Sequence, residues 1–584
     1  MRCARLFTLT FLITLRAFAA PEWVERSNEI SQTLVDAMGA FAPETLSYWG
    51  IEGYDDQVAD VGSNGPQRFR DAMANARLSL DAQLDREENP FVRQDISILI
   101  DAAADSIRES ELAEQYLLPF ADAAQTIYQS EFILLQPDIA PERRAQALDR
   151  LRRYAGLLPG TKPFTEELRA RYEEAMAADP SRLAPFRDRV QQVIANRERF
   201  VAGLEQSFAG SEFAAEEVEP VLATLSAQLA AYGEWVESTV LPAARDDYRL
   251  PPEVYADNLH SFGLDIEPTV LMQRAQTAFA EIRNEMRVIA RLVAAERGWE
   301  ETEYPAVIRR LKQEQLTADA VLPYYEGIIA QIEDIIRREH IVTLPDRPMA
   351  IRIASEAENA AQPAPHMDPP SMTGDTDERG TFVLTSGTPP AEGVESESFD
   401  DFTFEAATWT LTAHEGRPGH ELQFAAMVER GVSLARSFFA FNSVNVEGWA
   451  LYAEAELKPY EPLEGQLIAL QHRLLRATRA FLDPMLNLGL IDRDEARRVL
   501  REDVVLSEGM VKQEVDRYTF RAPGQATSYF YGYQRLMALR TATEVALGDK
   551  FDRLAFNDFV IHQGLLPPDL LAEAVQNEFI PAHR

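Results

Sequence analysis

Cysteine is almost absent. The single one, Cys3, lies in the first few residues, so the body of the chain has neither a disulfide framework nor a thiol nucleophile. A chain of 584 residues is long enough to build its core without such staples. Basic residues are scarce: 57 Lys and Arg stand against 94 Asp and Glu, a net charge of −37. A surface this acidic opposes binding to nucleic acid or anionic lipid. Beyond the first residues no apolar run is long enough to span a bilayer, so no membrane insertion is expected of the mature form. There is no G-x-S-x-G elbow and no phosphate-cradling glycine loop, which argues against a serine hydrolase or an NTPase.

The composition that is present, 46% hydrophobic and 26% charged, is that of an ordinary globular protein. The first 19 residues carry the three parts of a secretory signal peptide. Arg2 and Arg5 are basic, Leu6 to Leu15 is apolar, and Ala17-Phe18-Ala19 is an A-x-A cleavage signal followed by Pro21. The mature protein is therefore expected to be exported, periplasmic or secreted. Cys3 precedes the apolar run, whereas a lipoprotein anchor needs a cysteine after it.

From residue 20 to about 250 the apolar residues recur at helical spacing, as in Gln67–Leu84, Ala113–Leu135 and Pro141–Leu157. Pro and Gly punctuate them at Leu158-Pro159-Gly160 and Leu250-Pro251-Pro252. Residues 251–584 form a second helical region. It is interrupted at 340–403 by a stretch rich in Pro, Gly, Ser and acidic residues. The best strand candidate there is Thr381–Ser386, and the acidic run Glu392–Asp401 reads as a solvated loop.

Chemistry concentrates at His414-Glu415-Gly416-Arg417-Pro418-Gly419-His420. It resembles H-E-x-x-H, in which two His one helical turn apart bind zinc and the Glu is a general base. Here the second His falls at i+6, about 120° round a regular helix instead of about 40°. Pro418 removes a backbone donor, and two glycines flank it. Either the motif is broken, or the helix bulges between Glu415 and His420 and turns His420 onto the face of His414. A third ligand is at hand in Glu447, at the start of the helical stretch Val446–Glu454. Two His and one Glu, with a water in the fourth position, form a recognised catalytic zinc set. Glu415 would act as base. Glu454 lies at i+7 from Glu447, on the same face, and is a candidate to orient a ligand. His260, His340, His366, His472, His562 and His583 are scattered, with no ligand spacing.

HEGRPGHELQ followed by VEGWALYAE resembles the bacterial domain of unknown function 885 family. Tyr255, Leu344-Pro345-Asp346, Arg517-Tyr518, Pro523-Gly524-Gln525-Ala526, Ser528-Tyr529, Gly532 and Gly564-Leu565-Leu566-Pro567 fit the same pattern, over most of the chain. Asn557 stands where the family commonly has His. The resemblance implies a mostly α fold: a large helical body with a deep cleft and a small β element at its edge, similar to zinc peptidases of the neurolysin and carboxypeptidase Taq type. By that likeness Tyr529 donates to the transition-state oxyanion, against the alternative of a packed tyrosine stripe. Tyr452 is a second candidate for that part. Gln525 shares a helix face with Tyr529. Arg517 either holds a peptide's terminal carboxylate or forms a structural ion pair. Thr381–Ser386 is expected to pair with an extended peptide.

The leading expectation is an exported zinc peptidase cleaving short peptides, with one metal held by His414, His420 and Glu447. A metal-dependent hydrolase of non-peptide amides or esters, and a non-catalytic ligand-binding protein, are the alternatives.

Overall fold

Helix starts are written locally. Asn89 accepts from the N–H groups of Phe91 and Val92 and precedes Pro90, whose fixed φ suits a first helical position. Asp122, Asn442 and Ser507 cap later helices in the same way, each accepting a backbone N–H three residues on. The computed structural model describes residues 21–372, 378–387 and 398–584. The expected signal segment and most of the acidic run lie outside those residues.

Among the described residues the protein is mostly helical, with a small three-stranded sheet. In the N-terminal region α1 (Glu22–Met38), α2 (Gly65–Leu84) and α3 (Pro90–Tyr116) pack together over Leu34, Met73, Leu80, Ile96 and Leu99. Next come α4 (Ala123–Leu134), α5 (Arg187–Ala209) and α6 (Ala215–Trp235), which close a second core around Tyr128, Phe200 and Leu225. The expected helix Ala113–Leu135 is in fact two. Pro119 cannot continue α3 and disfavours helix in the residue before it, and Leu117 instead bridges Leu183 in parallel. Pro141–Leu157 likewise forms two short pieces, Pro141–Arg144 and Ala147–Tyr154.

The second region includes the long α7 (Pro268–Arg297) and α8 (Ala318–Glu339). The sheet follows, with β1 (Ala350–Ile353), β2 (His366–Asp368) and β3 (Thr381–Leu384) in the order β1-β3-β2. β3 is parallel to β1 and antiparallel to β2. It is the strand expected from the sequence, but it is the central one. Both its edges are used, so it has no free backbone to offer a peptide, contrary to expectation; among the described residues the edge strands are β1 and β2. Those two strands, three and four residues long, are too short to show an alternating pattern.

The helices that carry the site come next: α9 (Glu405–Glu415), α10 (His420–Arg430), α11 (Ser443–Leu457), α12 (Leu463–Asn487), α13 (Glu508–Asp516) and α14 (Ser528–Leu547). α12 packs along α7 and also against α9, while α11 lies along α14. The two regions share material: Val35, Trp49 and Ile98 sit in one core with Leu422, Phe424 and Trp449. A buried Asp95 on α3 accepts from Ser27, Ser433 and Arg436 at 2.6, 2.6 and 2.7 Å, tying the first helices to the chain that follows α10. Among the described residues no helix is long and apolar enough to cross a membrane.

Candidate metal centre

α9 ends on His414 and Glu415, and α10 starts on His420. The helix does not bulge between them, as the sequence suggested; it stops and restarts. Gly416 and Gly419 leave helical backbone angles, at φ −95°, ψ −117° and φ −77°, ψ −131°. The break is bridged by an N–H of Leu422 reaching the carbonyl of Gly416 at 3.5 Å, an i→i−6 contact in place of i→i−4. Two residues are thereby looped out. Glycine is needed at 419 for space, because a Cβ there would sit 1.9 Å from the His414 carbonyl oxygen.

Other elements hold this loop. Arg417 is buried and bonds Glu421, Glu333 and the Arg347 carbonyl at 2.6–2.7 Å. Trp449 Nε1, from α11, donates to the Pro418 carbonyl at 3.0 Å.

The result is convergence. His414, His420 and Glu447 form a group whose potential ligand atoms lie within 4.8 Å of one another. Glu447 Oε2 is 3.5 Å from His414 Nε2 and 3.3 Å from His420 Nε2. Bond lengths of about 2.0–2.2 Å around a tetrahedral zinc give a ligand-to-ligand edge of about 3.4 Å. That same Glu447 oxygen is buried with no hydrogen-bond partner among the described residues. The residues therefore fit a divalent metal in spacing, chemistry and unmet bonding.

Glu447 is positioned by its helix. α11 and α14 meet glycine on glycine: a Cβ on Gly532 would lie 2.0 Å from the Val444 carbonyl, and one on Gly448 would lie 2.6 Å from Gly532. This close approach brings α14, with Tyr529, beside the helix that carries Glu447. Gln525 donates to Ser443 Oγ at 3.0 Å and reaches Glu447 Oε1 at 3.5 Å.

His414 is fixed from behind. Its Nδ1 lies 2.7 Å from Glu454 Oε1, which leaves Nε2 directed at the ligand cluster. Glu454, 3% exposed, also accepts from Thr410 and Arg476, each at 3.2 Å. Burial alone would lower the His414 pKa, but Glu447 and Glu454 carry it up to about 9. Burial would raise Glu454; Arg476 and His414 instead hold it at about 2. Glu447 is held well below the carboxylate range, against its burial, by the two His.

A cavity of about 50 Å³ adjoins this cluster, lined among others by His414, Glu415, His472, Arg476, Arg479, Arg517 and Tyr529. Glu415 Oε1 is 3.9 Å from His414 Nε2. The Tyr529 ring stacks on His414 with centroids 6.2 Å apart, and Arg517 donates to its hydroxyl at 3.3 Å. Burial and Glu447 raise the Tyr529 pKa, so its phenol stays protonated at neutral pH and able to donate.

One expected residue lies elsewhere. Tyr452 donates to Asn557 and accepts from Arg540, on contacts separate from the ligand cluster, because its position on α11 points it at the helix bearing Asn557. His472, in contrast, is not an ordinary histidine. It is buried in the cavity wall, its burial lowers its pKa to about 3, and its Nδ1 has no hydrogen-bond partner among the described residues.

Sequence reasoning missed Arg476 and Arg479. The signal exists: His472, Arg476, Arg479 and Asp483 recur at spacings of four, three and four, a polar stripe along an otherwise apolar helix.

The chain belongs to DUF885, a family of bacterial proteins of unknown function, whose model matches residues 43–575. In fold it is similar to a protein from Colwellia psychrerythraea, provisionally described as a lipoprotein. The TM-score is 0.77 at 18% identity, covering 96% of this chain and 99% of that one. A protein from Shewanella oneidensis, provisionally described as a lipoprotein of unknown function, superposes with a TM-score of 0.71 at 17% identity, covering 96% and 100%. No curated protein matches the chain.

Proposed function

We propose that this protein is an exported zinc-dependent peptidase acting on short peptides. The observation that carries the reading is the convergence of His414, His420 and Glu447 beside Glu415, on a cavity that also presents Tyr529. A zinc ion held by the three ligands would supply a Lewis acid that polarises a carbonyl and acidifies a water.

The chain's own residues do the rest. Glu415 takes a proton from the attacking water and delivers it to the leaving nitrogen as the C–N bond breaks. Tyr529 donates to the oxygen on which charge develops, and Arg517 fixes the direction of its hydroxyl. Glu454 keeps His414 in the tautomer that can ligate.

Peptides are favoured because Ala364 and Pro365 line the cavity and lead directly into β2, an edge strand able to pair with an extended backbone. A cleft leading to the site, of the kind found in helical zinc peptidases, belongs to this proposal. So does export, supported by the leader and by the lipoprotein descriptions of the two similar structures.

Metal content is the test. Zinc that copurifies or is taken up, and is lost on His420→Ala, supports the reading; a protein that neither holds nor takes up zinc sinks it. Hydrolysis of mixed short peptides must also vanish in Glu415→Gln while zinc is retained.

A further inference from the structure

Three guanidinium groups line the cavity next to the proposed metal ligands, and their charges are not equally answered. Arg479 forms a bidentate pair with Glu514, at 2.7 Å to each oxygen. Arg476 reaches Glu454 at 3.2 Å. Arg517 has no carboxylate within 4.0 Å among the described residues. Its only side-chain bond found there is the one to the Tyr529 hydroxyl, at 3.3 Å. The structural ion pair weighed for Arg517 in the sequence is therefore not made.

The other acids of the cavity wall are committed. Asp401 holds Lys312 at 2.5 Å and accepts from Ser507, and Glu415 faces the ligand cluster. Arg517 is half-buried, and Glu514 and Asp483 answer its charge only at longer range, with no carboxylate bonded to it among the described residues. A planar carboxylate is the shape its free fork matches.

We propose that Arg517 is the anchor of an anion subsite that takes the C-terminal carboxylate of a peptide, making the protein a carboxypeptidase. The inference deepens the peptidase reading and rests on it. The cavity beside Arg517, about 50 Å³, has room for a carboxylate. Position decides the bond. Arg517 contacts Tyr529, whose ring lies on His414, so a carboxylate bound there sets the last peptide bond nearest the metal ligands. Water adds across that bond: the acyl part keeps the hydroxyl, the nitrogen takes the proton, and one amino acid is released.

The probes are a hydrophobic tripeptide with a free C-terminus and the same tripeptide as its C-terminal amide. Binding is measured by calorimetry on zinc-loaded Glu415→Gln protein. The acid should bind roughly 10- to 100-fold more tightly than the amide. Arg517→Gln in that background should remove the preference, and Arg517→Lys, which keeps the charge but not the fork, should retain part of it. Equal binding of acid and amide overturns the inference, as does failure of the acid to bind or a preference that survives Arg517→Gln. If Arg517→Gln does not fold, as judged by zinc content and Tm, Arg517→Lys decides: a reduced preference supports the subsite and an unchanged one overturns it.

Hydrolysis by the unsubstituted protein separates the two claims. Acid and amide cleaved at equal rates would leave the peptidase reading and remove the subsite. Arg517-dependent binding of the acid with cleavage of neither would leave the subsite and remove the peptidase reading.

Discussion

The helices of the N-terminal region and those around His414, His420 and Glu447 bury different things. α3 buries Val92, Ile96, Leu99 and Ala103 at three- and four-residue spacing and turns its other face to water. α9 buries nearly its whole circumference, including Thr408, Thr410, Thr412, His414 and Glu415. The first kind of helix is stabilised by apolar area removed from water. The second holds polar groups that are costly to bury unless partnered; Thr410 and His414 find their partners on α11.

Two buried glutamates mark the contrast. Glu131 on α4 has no hydrogen-bond partner for either oxygen among the described residues, and burial drives its pKa up to about 8. Glu454 has Arg476, Thr410 and His414, and stays ionised down to about pH 2. Glu131 is a cost in its core, while Glu454 uses its burial to orient His414.

Breaking the chemistry without breaking the fold gives the largest effect. Glu415→Gln should lower kcat/KM on short peptides by about 10²–10⁴ or more, with zinc content and Tm unchanged. Tyr529→Phe should cost about 3 kcal/mol in the transition state, read as a drop in kcat near 10²-fold.

Glu454→Gln should weaken zinc affinity by about 10- to 100-fold, measured by competition with a chelator. Gly532→Ala forces a Cβ onto the Val444 carbonyl and should destabilise by about 1–3 kcal/mol in denaturant. Because the strain falls on the α11–α14 contact, zinc affinity should fall with it.

The smallest effect belongs to the N-terminal region. The Glu131 pKa is raised above its ordinary 4.5, so the folded state binds the extra proton. Stability from this group is complete below about pH 4.5 and is lost as pH climbs towards 8. Glu131→Gln, which cannot ionise, should match the parent near pH 4 and be the more stable of the two at pH 7. Peptidase activity should not change, and a change would blur the division between the two regions.

Much of this was legible in the chain. The amphipathic helices before residue 250 follow a period of 3.6, and the strand Thr381–Leu384 follows its β-branched and aromatic content. The breaks at Pro119 and in Pro141–Leu157 were harder, because apolar spacing continues across them. Around the ligands periodicity fails as a guide, since α9 and α11 are buried on every side and show no polar face. The arginines of α12 were hidden for the opposite reason: a charged stripe reads as a solvated face until packing shows it turned inward.

The sequence by itself determined the helical class, the family likeness and the residue types at 414, 415, 420 and 447, because these depend on local pattern and on identity. Tertiary structure alone decided that the helix breaks between Glu415 and His420, that Gly448 and Gly532 let two helices touch, and that no carboxylate among the described residues bonds Arg517. Each of these is a distance between atoms far apart in the chain, or a clash avoided, and neither is encoded in the spacing of residues along one segment.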